Sequence, residues 1–140
     1  MKHVGFTGTQ RGMTDAQKGA FTAVLISWWV RCVFHLGDCI GADTDAYLIA
    51  RCRGHRLIGH PPLIASKRSF LEYDEERPQL GYMARNQVIV DESQIMIATP
   101  GEFEEQLRSG TWSTVRRARK AGRPLLLIWP DGTTSVERWS

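Results

Sequence analysis

The sequence predicts an α/β protein: a Rossmann-like, three-layer α/β/α sandwich around a mostly parallel sheet of about five strands. Three observations carry this. Short apolar runs alternate with helical patterns along the 140-residue chain, and such alternation implies right-handed crossovers and parallel pairing. The run Leu125-Leu126-Leu127-Ile128-Trp129 is almost wholly apolar, as a strand buried on both faces should be. The length fits a single domain over residues 1–140, long enough to bury a core.

Residues 3–7 read as the first strand and 8–13 as a loop. Residues 14–31 read as a helix opened by a capping box, Thr14 with Gln17, and its core stripe is Phe21, Val24, Leu25 and Trp28. A second strand covers 32–36, a loop 37–42, and a second helix 43–53 with Asp43 as its cap. The third strand, 56–59, stops at Pro61-Pro62. Residues 63–80 are polar and aperiodic, and a loop this long in a compact domain is usually functional or mobile. A third helix spans 81–93 and a fourth strand 94–98, closed by Pro100-Gly101. A charged loop or short turn covers 102–108, and a fourth helix 111–121 ends at Gly122. The fifth strand is 125–129, and Asp131-Gly132 begins a tail.

Composition narrows the function classes. Hydrophobic residues make up 42% and charged residues 24%, the balance of a globular protein, and no apolar run approaches the ~20 residues of a membrane helix. The start enters a strand at once, so no signal peptide is expected and the location expected is cytoplasmic. Cys32, Cys39 and Cys52 are odd in number and lack Cys-x-x-Cys spacing, which argues against a disulfide scaffold or structural zinc. No His/Cys/Asp spacing suggests a metal, and no cofactor is expected. The net charge of +3 suits phosphate-bearing ligands but is too weak to argue for nucleic acid.

In a parallel sheet, ligands sit beyond the carboxyl ends of the strands, where strand order reverses. Three loops there carry chemistry. In the first, Gly8, Thr9, Gln10 and Arg11 lie between a strand and a helix, where backbone N–H groups and the helix terminus favour a phosphate. Arg11 could add a bidentate contact. The loop is neither G-x-G-x-x-G nor a P-loop, and a plain tight turn explains it equally well. In the second, Gly37, Asp38, Cys39, Gly41 and Asp43 follow a strand. Asp38 and Asp43 could accept ribose hydroxyls, although Asp43 reads first as a helix cap. Cys39 reads as a small, partly buried residue rather than a nucleophile. In the third, Ser109, Gly110, Thr111 and Thr114 give more hydroxyls than one helix cap needs, which tilts the reading toward an anion pocket.

Arg85 and Asn86 lie on the third helix, where an exposed arginine is as good a reading as a ligand contact. Arg116, Arg117, Arg119, Lys120 and Arg123 read as a solvated helix face. His35, inside a strand, reads as a core residue, and so do Trp28 and Trp129. Trp112 is placed either in packing or in stacking on a base, and Trp29 and Trp139 are less obviously core.

Taken in order, the opening Val4-Gly5-Phe6-Thr7-Gly8-Thr9-Gln10-Arg11, the loop from Gly37-Asp38 to Gly41-Ala42-Asp43, Arg85-Asn86, and Ser109-Gly110-Thr111-Trp112-Ser113-Thr114 with Gly122-Arg123-Pro124 resemble the SLOG superfamily. That group joins DNA-processing protein A with the Lonely Guy phosphoribohydrolases, and small bacterial and phage members are particularly similar. The resemblance implies a nucleotide-type ligand over these loops and a homodimer. The Lonely Guy enzymes cleave the N-glycosidic bond of nucleoside monophosphates with an arginine and with the glutamate of a Pro-Gly-Gly-x-Gly-Thr-x-x-Glu motif. Arg85 matches the arginine and Gly110-Thr111 the Gly-Thr, but Thr114 stands at the glutamate position and an insertion follows Pro100-Gly101.

The reading is therefore a domain that binds a nucleotide or nucleotide-derived phosphorylated ligand. The alternative is an N-glycosidase with a relocated carboxylate, with Arg85 and Asp38 as catalytic residues and Glu102, Glu104 or Glu105 as further candidates for the acid. No membrane partner is expected, and binding of single-stranded nucleic acid is the less favoured reading.

Overall fold

The computed structural model describes residues 1–139. Its elements, in chain order, are β1 (His3–Gly8), α1 (Asp15–Ser27), β2 (Val33–Leu36), α2 (Ala42–Cys52), β3 (Arg56–Gly59), β4 (Glu75–Glu76), α3 (Tyr82–Glu92), β5 (Ile95–Thr99), α4 (Gly110–Lys120), β6 (Leu125–Ile128) and β7 (Thr134–Glu137). The strands form one seven-stranded sheet in the order β4-β3-β2-β1-β5-β6-β7, parallel except where β7 runs antiparallel to β6.

Side-chain alternation along the strands divides the core in two. On one face Phe6, Phe34, Leu36 and Leu57 pack under α1 and α2, whose Phe21, Leu25, Ala42, Ala46 and Ala50 meet them. On the other face Met96, Ala98, Leu125 and Leu127 pack under Ile89 and Val90 of α3 and Trp112, Val115 and Ala118 of α4. The three-layer α/β/α arrangement is thus as the sequence predicts.

The strand count is larger than the expected five, for two local reasons. The Asp131-Gly132 stretch opens a hairpin rather than a tail: Trp129 N–H donates to the Thr133 carbonyl at 2.8 Å, and Thr133 N–H to the Asp131 carboxylate at 3.0 Å. The returning β7 is polar because it is an exposed edge. The other extra strand, β4, has two glutamates and pairs with Ile58 and Gly59, too short for any periodicity to show.

Helix α1 has the expected capping box, with Thr14 Oγ accepting from Gln17 N–H and Gln17 Oε1 accepting from Thr14 N–H, each at 3.0 Å. The buried Gln17 amide also donates to the Pro100 and Ile128 carbonyls at 2.8 and 2.9 Å, which fixes α1 against the ends of β5 and β6. The helix ends at Ser27, not Arg31, because Trp28 turns extended to stack on Phe34, ring centroids 6.2 Å apart. Trp112 is 1% exposed and donates its indole N–H to Glu102 at 3.2 Å, so it packs and is not free to stack on a base. On the α4 surface Arg116 and Arg119 are paired with Glu105, and Arg119 also with Glu137.

The 63–80 segment is tied down by polar bonds. Buried Asp38 accepts from Arg68 Nε at 2.6 Å, Leu71 N–H at 3.2 Å and Tyr73 OH at 3.1 Å. Thr44 and Ser69 hydroxyls meet at 2.6 Å, and Leu57 N–H donates to Asp74 at 2.7 Å.

Candidate functional site

Strand order reverses between β1 and β5, which pair from Val4–Ile95 to Gly8–Thr99. The chain leaves β1 and β5 for helices on opposite faces of the sheet, so a crevice opens beyond their carboxyl ends. The loops after β1, β2 and β5 border it, as the sequence predicts. They are joined by backbone bonds: Thr9 N–H to the Thr99 carbonyl at 3.2 Å and Ala42 N–H to the Thr9 carbonyl at 3.0 Å.

Gly41 makes the second junction. It is the N-cap of α2, with φ of 95°, and a Cβ there would lie 2.2 Å from the Gln10 carbonyl oxygen. Asp43, expected as the cap, is instead the second residue of the helix, and its side chain accepts Cys39 N–H at 3.1 Å. Gly37 allows a different close approach. A Cβ there would meet Arg85 Nη1 at 2.5 Å and Asp43 Oδ2 at 2.9 Å, so its bare backbone lets both side chains close over the end of β2.

The resulting cleft has a volume of about 300 Å³, at the lower end of the ligand-site range. Of the residues singled out in the sequence, Gly8, Thr9, Gln10, Gly37, Cys39, Asp43, Arg85, Asn86, Glu102, Ser109, Gly110, Thr111 and Thr114 line it. Arg11 stands at the rim, largely exposed, and pairs with Glu102 at 2.8 Å. Gly41 supports the wall from behind through Gln10. Asp38 does not line the cleft; it is fully buried and spent on the 63–80 segment. Its φ of 52° lies in the left-handed region, where aspartate is one of the few tolerated side chains.

Sequence reasoning missed Phe6, Thr7, Tyr82, Ile89 and Arg108 as lining residues. Tyr82, three positions before Arg85, had a signal in its helical spacing. Its hydroxyl is buried with no hydrogen-bond partner, as is that of Thr99 at the end of β5.

The polar machinery is arranged on two walls. On one, Arg85 is 6% exposed, so it is not the surface arginine the sequence left open. Its Nη1 donates to the Gly37 carbonyl at 2.7 Å and to the His60 carbonyl at 3.3 Å, and its Nε donates to Asn86 Oδ1 at 2.8 Å. Beside it, burial pushes the Asp43 carboxyl up to about 6 against the opposing pull of Arg85 and the Cys39 N–H. Burial likewise raises the Cys39 thiol, which keeps it protonated and unreactive. On the other wall α4 begins. Ser109 Oγ caps Trp112 N–H at 3.3 Å, and Thr114 Oγ donates back to the Gly110 carbonyl at 3.0 Å. Gly110 and Thr111, the first two helical residues, line the cleft, and their N–H groups have no partner within the helix at its positive end.

No helix is long and apolar enough to cross a membrane among the described residues. No family model matches the chain, and no curated protein matches it. Solved structures do. The molybdenum cofactor binding protein of Rippkaea orientalis superposes with a TM-score of 0.67 at 23% identity, over 91% of this chain and 76% of that one. DNA processing protein A of Streptococcus pneumoniae gives 0.66 at 19% identity, over 91% of this chain and 50% of that one. Its Helicobacter pylori counterpart, described with a single-stranded DNA binding mode, gives 0.61 at 19%, over 90% and 64%. The chain thus spans about half to two thirds of the DNA processing proteins. At these identities the likeness concerns architecture: the chain shares the Rossmann-like fold of these structures.

Proposed function

We propose that the chain is a single binding domain for a nucleotide or nucleotide-derived phosphorylated ligand, held in the cleft between the loops after β1, β2 and β5. The observation that carries this is the pairing of the open α4 N-terminus at Gly110 and Thr111 with buried Arg85 across one cleft of about 300 Å³. A phosphate is stabilised by N–H groups and helix dipole on one wall and by a guanidinium on the other. Thr9, Gln10 and Asn86 supply hydrogen-bonding groups for a ribose or base. Titration with a panel of nucleoside monophosphates, NAD and ADP-ribose tests the reading. Saturable micromolar binding by at least one supports it, and none by any member ends it.

One observation favours a second reading, in which a bound nucleotide is cleaved at its N-glycosidic bond. Asp43 is a carboxylate in the cleft beside Arg85, and Glu102 also lines it but is spent on Arg11 and Trp112, whereas Asp38 is not in the cleft. An oxocarbenium-like transition state needs a nearby carboxylate, and Asp43 takes that role in place of Asp38. Release of free base, lost in Asp43→Asn, is the expected result; binding without turnover at any pH from about 7 to 9, above the value of about 6 to which burial lifts Asp43, ends this second reading.

The homodimer implied by the resemblance is also proposed. It has an exposed apolar surface to cover, formed by Ile26, Trp29 and Val30, and native mass spectrometry decides it.

A further inference from the structure

Behind the cleft, on the α3 side of the sheet, three histidines stand in a row: His3 on β1, His35 on β2 and His60 just after β3. Strand alternation puts them on one face. Val4 and Phe34 belong to the core under α1 and α2, so their neighbours His3 and His35 point to α3. His3 Nδ1 and His35 Nε2 are 2.8 Å apart, and His35 Nδ1 and His60 Nε2 are 2.9 Å apart. Glu92, the last residue of α3, brings Oε1 to 3.6 Å from His35 Nδ1. That is beyond hydrogen-bond reach, so the carboxylate faces the imidazole without bonding it. The three donor groups of His35, His60 and Glu92 lie within 4.8 Å of one another.

We propose that His35 Nδ1, His60 Nε2 and a Glu92 oxygen form a binding site for one divalent transition-metal ion of the zinc class. Two imidazoles and one carboxylate are a donor set that zinc, cobalt and nickel accept, whereas magnesium and calcium want oxygen. A tetrahedral ion with bonds of about 2.0–2.1 Å spaces its ligand atoms by about 3.3–3.4 Å. The separations of 2.9 and 3.6 Å fall on either side of that value, so small ring shifts make room.

The gap between His35 Nδ1 and His60 Nε2 holds one proton, and a metal ion takes its place as that proton moves, by tautomer exchange through solvent, to the other nitrogen of its own ring, with no net proton released. Neutral His35 then carries its proton on Nε2, where His3 Nδ1 accepts it, and neutral His60 carries its proton on Nδ1. His3 thereby fixes the ligating tautomer of His35. Arg77 Nε donates to both Glu92 oxygens, at 3.0 and 3.3 Å; on metal binding one oxygen turns to the ion and the other stays with Arg77. His35 and His60 are fully shielded, while Glu92 is about 31% exposed at its side chain and supplies the access path and the position for a water ligand. The ion would join β2, β3 and α3. It would also stiffen the segment whose His60 carbonyl anchors Arg85.

The test is titration of chelator-treated protein with Zn²⁺ by calorimetry and with Co²⁺ by visible absorption. The expected result is one ion per chain, Co²⁺ bands of a four- or five-coordinate nitrogen/oxygen site, and a raised Tm. Glu92→Gln, which keeps the shape and sits partly exposed, should lower affinity at least about tenfold with the circular dichroism spectrum unchanged. His60→Gln should lower it further; if that variant does not fold, Glu92→Gln and the wild-type Co²⁺ spectrum decide. Absence of saturable binding to the folded wild type overturns the proposal. So does unchanged affinity in Glu92→Gln, or a thiolate charge-transfer band that places the ion on a cysteine.

Discussion

The turn from β2 into α2 carries two buried carboxylates five residues apart, Asp38 in the loop and Asp43 in the first turn of the helix, and they are put to different uses. On the side of the 63–80 segment, Asp38 receives a guanidinium, a backbone N–H and a phenol, so its charge is fully answered. On the cleft side, Asp43 receives one backbone N–H at 3.1 Å and stands near Arg85 without an ion pair, and burial raises its proton affinity. A carboxylate whose lone pairs are answered by the protein holds structure. One whose needs are left partly unmet, in a cleft, is available to a ligand.

The comparison breaks first at Asp38. Asp38→Ala leaves Arg68 short of a partner and the Leu71 N–H unsatisfied, and it should cost about 3–5 kcal/mol in urea unfolding, the cost of breaking a buried pair. A loss below about 1 kcal/mol would show that the 63–80 segment is held by other bonds. Ligand affinity of the remaining folded protein should be unchanged.

Arg85→Ala tests the other side. It should lose roughly 1.5–3 kcal/mol of ligand binding, the scale of a charge-assisted hydrogen bond. Its bonds to the Gly37 and His60 carbonyls mean stability falls as well. A fall in Tm with affinity retained would make Arg85 structural only, like Asp38.

Asp43→Asn separates the two aspartates by pH. The folded Asp43 holds its proton up to about 6, while an unfolded aspartate releases it near 4. Below about pH 4 the group favours the folded state, and that advantage is lost as pH rises through about 6. The stability advantage of Asp43→Asn over wild type should therefore grow from about zero below pH 4 to about 1–3 kcal/mol by pH 6 and persist at that level above. A pH-independent difference would show that Asp43 titrates normally.

The smallest effect on the fold is expected at Gly110. A Cβ there meets nothing within 4 Å, so Gly110→Val should stay within about 0.5 kcal/mol of wild-type stability. The added side chain stands on the wall that offers N–H groups, and affinity should fall at least about tenfold, or 1.4 kcal/mol.

Much of this was readable in the sequence. The β1, β2 and β5 loops and Ser109–Thr114 announced themselves through glycines and hydroxyls placed between apolar strands and helices, because these local features decide turn and cap geometry. What the sequence did not show depends on contacts far along the chain. Whether Asp38 or Asp43 faces the cleft is set by a positive φ at one and by Arg68, Leu71 and Tyr73, about thirty residues away, which the sequence order does not bring together. His35, His60 and Glu92 have no motif spacing, since parallel pairing of β2 with β3 and the packing of α3 unite them. The β7 hairpin is hidden for a different reason: Asp131-Gly132 is a recognised turn signal, but the polar strand after it is an exposed edge and carries no hydrophobic period.

The central claim, one phosphate-binding cleft walled by α4 and Arg85, is tested most directly by calorimetric titration of wild type and Gly110→Val with the same nucleoside monophosphate panel. One saturable site is expected in the wild type, with a loss of at least about tenfold in Gly110→Val at equal Tm. Equal affinity in the two folded proteins would contradict it.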